Sequence, residues 1–130
     1  PASAHTAGKP LVEHLRMAAF DPLFAALSSL LRQHCTGLAV RMDVPGNLYV
    51  EVPATAATGK PAFFAAVQVK KSYVSYHLMP VYTQPALLEG ISEALRKRMH
   101  GKSCFRFTAG DTDVLAELDA LTGRCAATLR

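Results

Sequence analysis

Cysteine is scarce in this chain and badly spaced for chemistry. Cys35, Cys104 and Cys125 form an odd set with no Cys-x-x-Cys pair, which excludes the common zinc and dithiol motifs and reads as three free thiols. Long uncharged apolar runs are missing too. The longest, Met17 to Leu31, is interrupted by Asp21 and Pro22 and falls short of the roughly 20 residues a bilayer helix needs, so no membrane partner is expected. Pro1 to Pro10 lacks the apolar centre of a secretory signal. The expectation is a flexible or partly helical leader over residues 1–19, a single domain over residues 20–130, and a cytoplasmic setting. Carboxylates are outnumbered: 10 Asp and Glu against 14 Lys and Arg leave a net charge of +4, a balance that admits an anionic small ligand but speaks to association more than to activity.

What is present is enough apolar material for one core. Half of the 130 residues are hydrophobic and 18% are charged, outside the range of disordered chains and within the size at which a single domain buries most of its apolar surface. Asp21-Pro22 offers an N-cap and a preset first helical turn. Phe24, Leu27, Leu30 and Leu31 then recur at helical spacing, so the pattern predicts a helix over residues 22–35 closed by Gly37, with residues 11–19 as a separate turn or two. At Leu38 the period becomes two. Leu38, Val40 and Met42 alternate with polar or small residues, Pro45-Gly46-Asn47 turns the chain, and Leu48, Val50 and Val52 resume the alternation, which is a β-hairpin.

A loop rich in Ala, Thr, Gly and Pro (residues 54–61) separates this from a second hairpin, Ala62 to Val69 and Ser72 to Met79, punctuated by Lys70-Lys71. Phe63, Val67 and Val69 are expected on one face of its first strand and Phe64 and Ala66 on the other, as in a strand covered twice. Leu87, Leu88, Ile91, Ala94, Leu95 and Met99 predict a helix from Pro85 to His100 closed by Gly101. Ser103 to Thr108 alternates as a fifth strand, and Asp111 or Thr112 can cap a last helix whose stripe is Val114, Leu115, Leu118 and Leu121, ending before Gly123 with a frayed tail beyond Arg124. The class is therefore α+β, an antiparallel sheet of four to five strands with helices packed on it, in the order α-β-β-β-β-α-β-α.

Pro61-Ala62-Phe63, Lys70-Lys71 followed by the strand Tyr73 to Leu78, the helical pattern Pro85 to His100, and Gly101-Lys102 leading into Phe105-Arg106-Phe107 together resemble the YdhG-like family of small bacterial domains of unknown function. Some members of that family are described as frataxin-like iron chaperones. The resemblance implies an open antiparallel sheet with helices against it and, as an alternative function, iron handling. Hard iron takes oxygen ligands, and Asp111, Asp113 and Glu117 are the only acidic residues close enough in sequence to be tested for it.

Gly101-Lys102-Ser103 looks like the end of a phosphate-binding loop, but Arg96 stands where that motif needs glycine and a strand follows where it needs a helix. No nucleotide site is read there and no cofactor is expected. The densest basic run, Arg96 to Lys102, suits both an anion and the C-terminal end of a helix. It contains no aromatic residue, so nucleic acid is not the expected partner. His77 shares its strand with Tyr73, Ser75 and Met79 and has the chemistry of a base or ligand, yet no nucleophile and orienting residue stand near it in a known motif, which leaves a small hydrolase as the last alternative. The leading expectation is a non-enzymatic, chaperone-like binding domain whose ligand surface combines Tyr73, His77, Arg96, Arg98 and Lys102. Its surplus of strand aromatics, including Tyr49 and Phe64, predicts a homodimer through an apolar sheet face.

Overall fold

In the computed structural model, which describes residues 8–129, a long helix α1 (Gly8–Arg32) leads into four strands, β1 (Ala39–Val44), β2 (Asn47–Val52), β3 (Ala62–Val69) and β4 (Val74–Leu78). A short helix α2 (Met79–Thr83), a 3-10 turn (Pro85–Leu88) and a single helical turn α3 (Glu93–Arg96) connect these to β5 (Cys104–Phe107) and the closing helix α4 (Thr112–Ala127). The strands form one antiparallel sheet whose spatial order is the chain order, β1-β2-β3-β4-β5. Class, strand number, antiparallel pairing and element order agree with the expectation from the sequence.

One face of the sheet carries the core. Leu48, Val67, Tyr76 and Phe105 face one another across four strands, and α1 supplies Leu23, Leu27 and Leu31 while α4 supplies Val114, Leu118 and Leu121 to the same buried cluster. Leu27, Leu31, Leu118 and Leu121 are fully buried, each contributing about 1.5–3 kcal/mol relative to exposure. Tyr76 carries its hydroxyl into this layer, where it lies 2.7 Å from Thr122 Oγ1 of α4. Burial holds the phenol well above its ordinary range, so it stays neutral.

β-Bulges redirect two stretches. The β2–β3 register shifts at Val50/Glu51, pairing Val50 with Ala65 and Glu51 with Phe63 and leaving Phe64 as the extra residue. Because side chains alternate with a period of two, one inserted residue exchanges faces beyond it. Phe64 joins the core, and Phe63 goes to the opposite face with Ala66, the reverse of the simple alternation. A second shift between Val40 and Met42 likewise separates Met42 from Val40. The open face thus presents the cross-strand row Met42, Tyr49, Ala66, His77 and Cys104. Among the described residues, both long helices put their buried side chains into the other face's cluster.

Three helix boundaries differ from the pattern. Pro22 lies inside α1 rather than at its start; it is exposed, so the helix can forgo the N–H it would have given Ala18 without burying an orphan carbonyl. Residues 11–19 belong to the same helix, while residues 1–7 lie outside the described part of the leader. The expected helix from Pro85 to His100 is three pieces. Gly90 adopts φ 82°, a left-handed turn that suits glycine, and Ser92 restarts the helix by accepting a hydrogen bond from Leu95 N. After Arg96 the chain extends again, with Met99 bridging Phe105. Finally, α4 runs through Gly123 to Ala127. Gly123 is there for space, since a Cβ would come within 3.2 Å of His34 Cε1, and His34 pairs with Asp119 one turn earlier on that helix.

Candidate anion-binding site

The basic run that sequence reading treats as one patch is divided by its own backbone. Residues 98–100 lie alongside β5 through Arg106 N to Arg98 O and His100 N to Cys104 O hydrogen bonds, and the cations of the run are shared between two hollows. Arg96 and Lys102 line a cavity of about 520 Å³ together with Val81, Tyr82, Pro85, Leu88, Met99 and Gly101. Lys97, Arg98 and His100 line a shallower one of about 330 Å³ with Ser72, Tyr73, Arg106 and Thr108. Among the described residues no acidic side chain lines either.

The larger cavity is built from short, tightly tied pieces. Pro80 and Val81 of α2 are buried and leave Tyr82 on the outside, 54% exposed. Opposite, α3 is anchored by Leu95, which is fully buried, and by Glu117 of α4, whose carboxylate accepts from both the backbone N–H (2.6 Å) and the hydroxyl of Ser92. Arg96 then lies beside the 3-10 turn, donating from Nη2 to Leu88 O at 3.4 Å. On the far rim Lys102 Nζ is 5.9 Å from the Tyr82 ring centre. The result is an apolar floor of Val81, Leu88 and Met99 with a tyrosine wall and two cations at the mouth. A hollow of this size, apolar with a few placed polar groups, is the usual form of a small-molecule site.

Tyr73 is in the other hollow, beneath Arg106, whose guanidinium carbon is 4.4 Å from the ring centre. Arg98 sits 5.6 Å over the Phe107 ring. His77 joins neither hollow. It stands on the open sheet face with Nε2 2.6 Å from Ser103 Oγ and its ring edge-on to Phe63 at 5.1 Å, and burial lowers its pKa. The Ser103–His77 spacing is that of a nucleophile and its base. Ser103 is buried, however, and among the described residues no carboxylate accepts a hydrogen bond from His77 to orient it. The five predicted site residues therefore fall into three places: Arg96 and Lys102 together, Tyr73 with Arg98, and His77 apart.

Two of the acidic trio have structural roles. Asp111 caps α4, accepting from Asp113 N and Val114 N, while Glu117 holds Ser92. Among the described residues no three His, Cys, Asp or Glu side chains converge on a point where a metal could sit, and no helix is long and apolar enough to cross a membrane. The cysteines are free thiols. Burial raises all three, Cys125 to about 12, which disfavours the reactive thiolate in each.

Tyr82 and Met99 are lining residues that the sequence did not single out. The available signal was Pro80 and Pro85 five residues apart, which marks two short helical starts and leaves Tyr82 between them with no strand or long helix to bury it. The chain matches no family model, no curated protein and no solved structure, so the fold and the two hollows alone define it: an α+β domain with an open sheet face and two acid-free basic hollows.

Proposed function

We propose that this is a non-enzymatic binding domain for a small organic anion with an apolar body, held between α2, the 3-10 turn and α3. The observation that supports the reading is the 520 Å³ cavity whose charged lining residues, among those described, are Arg96 and Lys102 alone. The apolar part of the ligand would displace water from Val81, Leu88 and Met99, stack against Tyr82, and present its carboxylate, sulfonate or phosphate to the two cations. A neutral apolar ligand would leave both cations without use, and a small inorganic anion would leave the floor wet.

The test is fluorescence titration with anilinonaphthalene sulfonate, a probe with both properties. Saturable one-to-one binding that is lost in Arg96→Glu/Lys102→Glu and retained in Arg98→Glu supports the site. Binding that does not saturate, or that survives charge reversal at both cations, refutes it. Native mass spectrometry of the protein as purified would then identify any retained organic mass.

A further inference from the structure

The open face of the sheet combines features that no single stretch of sequence holds. Tyr49 and Phe63 stack with ring centres 4.8 Å apart, and Phe63 meets His77 edge-on. Two residues further along the strands from His77 and Cys104, the face passes to Ser75 and Arg106, with Arg106 lying over Tyr73 and with Lys97 and Arg98 beside it. The Nε–H of Arg106 is buried and has no acceptor among the described residues. Among the described residues the carboxylate on this face is Glu51, which is ion-paired with Arg41 at 3.3 Å, its buried Oε1 accepting no hydrogen bond.

From these contacts we infer that the open sheet face binds single-stranded nucleic acid, with bases stacked on Tyr49 and Phe63 and phosphates held by Lys97, Arg98 and Arg106. Aromatic rings on a sheet with helices behind it, next to a groove of cations, are the general means of gripping unpaired bases and their backbone. The expectation against nucleic acid rested on a basic run without aromatics; the fold brings the aromatics from β2 and β3. Spacing selects a strand over a mononucleotide. Arg106 and Phe63 are two strands apart and about four residue steps along them, roughly 10 Å by 13 Å, a span that a single nucleotide does not bridge and a short oligonucleotide does. Charge selects it over a second copy of this chain. A two-fold interface places the same patch on itself, and among the described residues this patch offers Lys97, Arg98 and Arg106 with no carboxylate other than Glu51, which Arg41 already faces.

The open sheet face is a different surface from the α2–α3 cavity, and a ligand can bind either without the other. It is tested by fluorescence anisotropy of a labelled oligothymidylate, with sedimentation velocity of the protein alone. Binding is expected to favour the single strand over a duplex. Its dependence on salt should have a log–log slope of about −2, from three cations each releasing its share of counterions. Tyr49→Leu/Phe63→Leu keeps apolar volume and removes the rings; it and Lys97→Glu/Arg98→Glu should each weaken binding by about tenfold or more, while both keep the wild-type response to anilinonaphthalene sulfonate. Absence of binding at low salt, equal affinity for duplex, or an affinity unchanged by the leucine pair would overturn it. So would a dimer that the leucine pair dissociates, together with no oligonucleotide binding.

Discussion

The weld between α4 and the sheet makes an unequal prediction for its two partners. Thr122 Oγ1 donates to Leu118 O at 2.8 Å, which uses its one hydrogen, so the 2.7 Å contact with Tyr76 must have the phenol as donor and Thr122 as acceptor. Tyr76→Phe removes that donor and strands nothing, since Thr122 keeps its bond to Leu118; the loss is one net hydrogen bond, about 1 kcal/mol. Thr122→Val removes the acceptor and leaves a fully buried phenol O–H with no partner, which costs about 1–3 kcal/mol. The double variant Tyr76→Phe/Thr122→Val strands no donor and should be more stable than Thr122→Val alone, giving a coupling energy of about 1 kcal/mol or more. Urea denaturation of the four proteins measures this directly, with each kcal/mol also moving Tm by roughly 2–8 °C for a domain of this size. Equal cost for the two single changes, or simple additivity in the double, would refute the donor assignment and with it the idea that the phenol is satisfied only through Thr122.

Four further outcomes are expected. Burial depresses the pKa of His77 below its ordinary 6.5, so the unfolded state binds the extra proton first: the stability is complete above pH 6.5 and is lost as pH falls toward the folded value, and the stability of His77→Gln should fall less over that window. Gly123→Ala should gain less than the about 1 kcal/mol that helix propensity offers, because the new methyl meets the His34 ring; the full gain should appear in a His34→Ala background, as thermal unfolding would show. Asp111→Ala should cost about 1 kcal/mol through loss of the α4 cap, and iron titration followed spectroscopically should show no site that this change abolishes. Cys125, fully buried with its thiol raised to about 12, should resist alkylation at pH 8 and react on addition of denaturant, which mass spectrometry of the labelled peptides would reveal.

Much of the fold was readable because the information is local. Leu48 and Val50 alternate with Tyr49 and Glu51, and a period of two is written in consecutive residues. Val114, Leu118 and Leu121 declare their helix in the same way. The parts that were misread depend on tertiary context. Whether Phe63 or Phe64 faces the core is decided by a bulge opposite Val50 and Glu51 on another strand. Whether Pro22 begins a helix or stands within one depends on the chain before it, and Gly123 looks like a helix end unless His34 is known to lie against it. The candidate sites suffered most. Apolar residues at helical spacing continue from Leu87 to Met99, but Gly90 and Ser92 break that helix. The break sends Arg96 and Lys102 to Tyr82, and Arg98 to Tyr73 and Arg106. Spacing along a run of cations cannot report this division.

Because the spatial order of the strands is their order along the chain, β1 to β4 pair through short connections and can assemble by successive local steps, whereas β5 joins only after residues 79–103. The helices are different: the Tyr76–Thr122 bond joins residues 46 apart and the His34–Asp119 pair residues 85 apart. Loop closure of that length is slow and is compensated only when the contact is complete. Docking of α4, which supplies Thr122 and Asp119 to these two contacts, is therefore expected late in folding, and until it occurs the part of the core face that α4 covers stands open. A chain that stalls there shows its core layer, with Leu48, Val67 and Phe105 open to other chains, and α4 serves as the cover that ends this exposure.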